Sequence, residues 1–174
     1  MKRPVSTSGS SKQHYSRSGD PRSLARRLAL QFIYQLTVQR GDNLDQIDSF
    51  LEENCENSQA SEPAKQLILG SWRQINELDQ LIQAVSSNWD LSRISLVDRC
   101  NLRLAVYQLR ACPEVPPRVV INEAVELAKE FSTAQAPAFV NGILDAIWQK
   151  MKQQSDDSCD VEEKSDVDKK KDSV

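Results

Sequence analysis

Residues 118–144 read RVVINEAVELAKEFSTAQAPAFVNGIL, and this stretch decides the fold class. Val120, Ala124, Leu127, Ala128 and Phe131 recur at spacings of three and four, which puts them on one face of a helix. Phe139, Val140, Ile143, Leu144, Ile147, Trp148 and Met151 do the same after a short polar break, with Ala136-Pro137 opening the second helix. No alternating β-branched run competes with this pattern. Val119-Val120-Ile121 is the one short candidate, and the helical series absorbs it.

The same period extends toward the N-terminus. Asp20 is a candidate N-cap, Pro21 a first-turn residue and Gly41 a helix stop. Between them Leu24, Ala25, Leu28, Ala29, Phe32, Ile33 and Leu36 form an apolar stripe. A shorter helix surrounds Leu44, Ile47, Phe50 and Leu51. Ser61-Glu62-Pro63 opens what reads as one long helix, with Ile68, Trp72, Ile75, Leu78, Leu81, Ile82 and Val85 in regular series. Gly70 lies inside it at about 1 kcal/mol relative to alanine, a penalty that a close helix crossing would explain. Trp89-Asp90 begins a connector. Another long helix runs from Ser95 to Ala111 through Val97, Cys100, Leu104 and Leu109, and Pro113, Pro116 and Pro117 end it. The expectation is an all-α protein.

Charge divides the 174 residues into three segments. Residues 1–27 carry a net +6, residues 28–151 a net −6, and the remainder −3. Residues 1–19 hold six serines and four basic residues with no acid, and 152–174 hold eight acids and five lysines. Both ends are too polar to offset their ordering entropy, which leaves 20–151 as the expected folded unit between a disordered basic arm and a disordered acidic, lysine-containing tail. A chain of that size buries roughly two-thirds of its unfolded surface, enough for a real core. A basic arm on an acidic body suits nucleic acid at one end and a basic partner elsewhere; a solubilising tail is the alternative.

Several chemistries are excluded. The single histidine, His14, lies in the arm, so no Ser-His-Asp or Cys-His constellation forms within the fold. Cys55, Cys100, Cys112 and Cys159 are far apart, give no zinc spacing, and read as reduced, with Cys100 and Cys112 as small core residues. The common phosphate-binding glycine loops do not occur. Glu123 and Glu126 are paired carboxylates at i, i+3, and read as a solvated helix face on which Glu126 pairs with Lys129. No apolar run approaches the roughly 18 residues of a membrane span.

What remains is a binding surface. In Arg22–Gln35, RSLARRLALQFIYQ, Arg22 and Arg26 project from one row beside the apolar stripe, and Arg27, Gln31 and Tyr34 from another. Arginine forks match phosphate oxygens, and a tyrosine ring stacks on an unpaired base. Together with the basic arm this suits single-stranded RNA. The alternative is an ordinary exposed helix face with Tyr34 at the core edge. Asn122 and Asn141 are candidates for satisfying buried backbone groups, Gly142 for close packing, and Phe139 for either core or a stacking platform.

Four pieces, ARRLALQFIYQ from Ala25, DRCNLRLAVYQL from Asp98, PPRVVINEAVELAKEF from Pro116 and FVNGILDAI from Phe139, together resemble the NusB family of bacterial transcription antitermination factors. The resemblance covers residues 20–151 and is most specific in LRLAVYQL, VVINEAVELAK and FVNGILD. It implies two packed three-helix subdomains, about seven helices in all, and a cytoplasmic, non-enzymatic protein without cofactor or metal. It implies binding to boxA-type single-stranded RNA in nascent ribosomal RNA transcripts. The implied protein partners are NusE, a small-subunit ribosomal protein, and the elongating RNA polymerase with other Nus factors. By position, Arg22, Arg26, Gln31 and Tyr34 fall on the family's RNA-facing first helix, Gln135 and Phe139 on its second RNA patch, and Asp98 where the family meets NusE. Two departures stand out. Ser23 and Leu24 interrupt the family's denser arginine cluster, and Gln135-Ala-Pro-Ala138 lacks the charge common before FVNG. A NusB-like domain also precedes some ribosomal RNA cytosine methyltransferases; here an acidic tail follows instead of a Gly-rich cofactor domain. A helical scaffold without RNA binding is the remaining alternative.

Overall fold

The computed structural model describes residues 20–41, 43–86 and 94–167, with side chains placed as far as Gln154. The basic arm, the Trp89-Asp90 connector and the last seven residues lie outside the described residues. Among those described, every regular element is helical: α1 (Pro21–Gln39), a 3-10 turn (Leu44–Gln46), α2 (Ile47–Asn54), α3 (Ser58–Arg73), α4 (Ile75–Val85), α5 (Leu96–Ala111), α6 (Pro117–Phe131) and α7 (Ala136–Val167).

The local signals act as the residue types require. The Asp20 carboxylate accepts from the Arg22 backbone N–H at 3.1 Å, with Pro21 in the first turn, where its missing donor is not needed. At the other end the left-handed cap is Arg40, at φ 51°, rather than Gly41; its N–H and that of Gly41 both return to the Leu36 carbonyl. Asn57 caps α3 by accepting from the Gln59 N–H, so that helix starts at Ser58 and Pro63 lies within it instead of opening it.

The long helix expected from Ser61 to Val85 is two helices, broken at Gln74. The apolar series runs on through the break, which hides it in the sequence. The reason is tertiary. Ile68 and the half-buried Trp72 pack into one core with α1 and α2, whereas Leu78 and Ile82 pack into another with α5, α6 and α7. One straight helix cannot direct its stripe into both.

These two cores are the two subdomains. The first joins α1, α2 and α3 around Leu28, Phe32, Ile33, Leu36, Leu51 and Ile68. The second joins α4 to α7 around Leu78, Ile82, Leu102, Val106, Val140 and Leu144. α5 serves both: Cys100 and Leu104 belong to the first core, Leu102, Ala105, Val106 and Leu109 to the second. Burial pushes the Cys100 thiol pKa up, which keeps it a neutral core group. Cys112 is half-buried, its thiol also shifted up, first by burial. α7 continues in helix beyond the expected unit; among the side chains described, as far as Gln154, Met151 is the last packed against a core.

Gly70 earns its place in α3. A Cβ there would overlap the ring of Tyr107 on α5, so glycine is what lets the helices cross. Gly70→Ala is expected to destabilise the protein by about 1–3 kcal/mol through overpacking, against a propensity gain of about 1 kcal/mol. Urea unfolding checks this, and Tyr107→Leu in the same chain should recover much of the loss. Equal stability of Gly70→Ala and wild type would show that the crossing does not need glycine.

Candidate nucleic-acid interface

α1 packs on α3 and α5, and side chains also link it to α6; those links decide which of its arginines reach solvent. Ser23 Oγ donates to Glu123 Oε2 at 2.6 Å, linking the first turn of α1 to α6. One turn on, Arg26 Nε donates to Gln108 Oε1 on α5 at 2.8 Å, and its Nη1 lies 3.9 Å from the same Glu123 oxygen. Arg27 pairs with Glu130 at the end of α6, its guanidinium 6.0 Å from the centre of the Phe131 ring. The loop carrying Gln135 follows α6 directly.

The sequence-derived surface therefore separates into parts. Arg22, Gln31 and Tyr34 are exposed, Tyr34 by 41%. With Val38, Gln31 and Tyr34 form an outward row on α1. Arg27 is half-buried over Phe131. Arg26 is only 5% exposed, which corrects its expected place on the outer flank of the stripe. Burial lowers its pKa, the nearby Glu123 opposing that shift. Its truncation would leave Gln108 and Glu123 short of a partner at about 1–3 kcal/mol, well beyond the effect of an exposed position.

Gln135 is exposed at the start of α7, and Phe139 is half-buried against the second core. Asp98 is 7% exposed. Its Oδ2 accepts from Ser95 Oγ at 2.6 Å and from Ser132 Oγ at 2.9 Å, while Ser95 caps α5 by accepting the Asp98 N–H. Asp98 is thus a tie between the start of α5 and the end of α6 rather than an open contact residue.

Some single-residue expectations change as well. Glu123, expected on a solvated face, has a side chain 12% exposed; Glu126 does pair with Lys129, at 2.7 Å. Asn122 and Asn141 are exposed, and Asn141 donates to Asp145. The buried asparagine that satisfies a backbone group is Asn101, whose amide donates to the Ala124 carbonyl at 2.8 Å. A Cβ on Gly142 would meet nothing within 4 Å, so packing does not require that glycine. Glu123, Gln108 and Ser23 were not legible as a unit; the one signal was a polar Gln108 beside the apolar Leu104, Ala105 and Leu109 of α5.

A helical protein whose first helix exposes Arg22, Gln31 and Tyr34 has the form of a macromolecule-binding module. The NusB family model matches residues 23–149, and the chain belongs to that family. It is 35% identical over 136 residues to the transcription antitermination protein NusB of Syntrophus aciditrophicus (78% of this chain, 84% of that one). It is 41% identical over 134 residues to the protein of that name from Bacillus pumilus (76% and 98%). Among solved structures it is similar to T. maritima NusB, at 36% identity and a TM-score of 0.67, over 75% of this chain and 92% of that one. It is also similar to a chain in a complex of the antitermination factors NusB and NusE with double-stranded RNA, at 30% identity and a TM-score of 0.67, over 75% and 97%.

Proposed function

We propose that this protein is a non-enzymatic, cytoplasmic RNA-binding adaptor in transcription antitermination. It binds boxA-type single-stranded RNA of nascent ribosomal RNA transcripts together with NusE, on RNA polymerase elongation complexes carrying other Nus factors. The observation that carries this reading is the exposure of Arg22, Gln31 and Tyr34 along α1, clear of the core. Support for RNA and NusE as partners comes also from the solved complex of related NusB and NusE with double-stranded RNA. Arg22 supplies a phosphate contact, Tyr34 a stacking ring, and Gln31 and Gln135 polar contacts. Arg27 and Phe139 sit at the margins of this surface, half-engaged with the fold. Asp98 acts on the NusE-facing surface by shaping the start of α5 through Ser95 and Ser132.

The test is binding of a boxA-type RNA, with and without NusE, beside a scrambled RNA of equal length. Affinity should fall with salt, because bound arginines displace condensed counterions. With Arg22 and basic residues of the N-terminal arm supplying roughly three to five phosphate contacts, the log–log slope is expected at about −2 to −3.5. A second reading, a protein-interaction scaffold, is favoured by one feature: Glu123 and Glu130 already engage two of the α1 arginines. Salt-independent binding, or equal affinity for the scrambled RNA, would select it.

A further inference from the structure

Arg22 and Arg26 are one helical turn apart, yet the fold treats them oppositely. Arg22 is exposed, whereas Arg26 is 5% exposed and held by groups from two other helices. A phosphate could reach the Arg26 guanidinium only by taking it from Gln108 and Glu123. Glu123 bridges the same turn from both sides, since one of its oxygens accepts from Ser23 and lies 3.9 Å from Arg26. Asp20 closes the start of the helix by capping the Arg22 N–H. The backbone that carries Arg22 is therefore gripped at Asp20, Ser23 and Arg26.

We propose that Arg26 is a positioning residue: clamped between Gln108 and Glu123, it fixes the first turns of α1 so that Arg22 meets an RNA phosphate, and it makes no RNA contact of its own. This rests on the RNA-binding reading above. It assigns opposite roles to two arginines that sequence places on one row. It also gives the acid Glu123 a favourable part in binding a polyanion, the reverse of its direct electrostatic effect.

The experiment is a double-mutant cycle on the full chain with a short boxA-type single-stranded RNA, comparing wild type, Arg22→Ala, Arg26→Met and the double variant across salt concentrations. Losing one phosphate contact lowers affinity about fivefold at about 0.1 M salt and makes the slope shallower by about 0.7. Each single variant should show that loss, and the double variant should show no more than either. Additive losses with a slope change of about 1.4 would mean that Arg26 contacts phosphate itself, and would overturn the inference. A loss of equal size with and without Arg22, or none at all, would overturn it too. A merely structural role predicts equal losses in both backgrounds, so the coupling to Arg22 is the discriminating readout. Circular dichroism reports whether Arg26→Met folds. If it does not, Glu123→Ala carries the same cycle: weaker binding that is not additive with Arg22→Ala supports the clamp, and tighter or additive binding overturns it. Should wild type itself fail to prefer the boxA-type RNA over the scrambled one, the RNA reading falls and this inference with it. Preference in the wild type with an additive cycle removes the inference alone.

Discussion

Phe32→Ala is expected to lower folding stability by about 3–5 kcal/mol, the effect of emptying a fully buried aromatic site. Phe32 is 1% exposed, and its ring centre lies 5.0 Å from that of Phe50, tilted by 55°. The pair joins α1 to α2, and α2 is a helix of eight residues that has little helical stability of its own. Set against a typical total of roughly 5–15 kcal/mol, such a loss brings the protein near its unfolding threshold. Urea unfolding should show a lower midpoint with an unchanged slope. RNA binding by the molecules that remain folded should be close to wild type, because Phe32 is buried in the first core while Arg22, Gln31 and Tyr34 are exposed. A loss under about 1 kcal/mol would mean that the first core collapses around the gap, contrary to the packing described.

Asp79→Ala should be nearly as damaging, at about 3 kcal/mol. Arg103 donates through Nε and Nη2 to the two Asp79 oxygens, each at 2.6 Å, tying α4 to α5. The Arg103 side chain is 7% exposed and its Nη1 has no hydrogen-bond partner, so removing the carboxylate strands a buried charge. The figure is at the low end for a broken buried pair because the Asp79 side chain is 27% exposed and water partly replaces it. The damage lies in the unpaired charge, so Asp79→Ala with Arg103→Met should recover much of it. If that double variant is as unstable as Asp79→Ala alone, the pair is not the source of the loss.

Helix class, helix order and most apolar core positions were legible in the chain because each depends on spacing over one or two turns. Leu28, Phe32, Ile33, Leu36, Ile68, Leu78, Ile82, Val140 and Leu144 are all buried where their period places them. Asp20, Pro21 and Ser95 act locally, so their roles at helix starts followed from residue type. The family was legible for another reason: its motifs, from ARRLALQFIYQ to FVNGILDAI, persist in order and spacing, and the family model matches residues 23–149.

Polar residues were another matter, since their state depends on partners distant in sequence. Arg26 and Arg22 share a row on any helical wheel, and the arrival of Gln108, 82 residues away, and of Glu123 takes Arg26 out of solvent. The Gln74 break and the burial of Asp98 follow the same rule. The first arises because two cores face different directions; the second because Ser132 meets Asp98 from the end of another helix. Periodicity alone thus carried the apolar stripes, whose burial stabilises the fold through area and needs no particular partner. Tertiary packing decided which charges face a ligand, because a buried charge is tolerated only where specific groups from other helices converge on it.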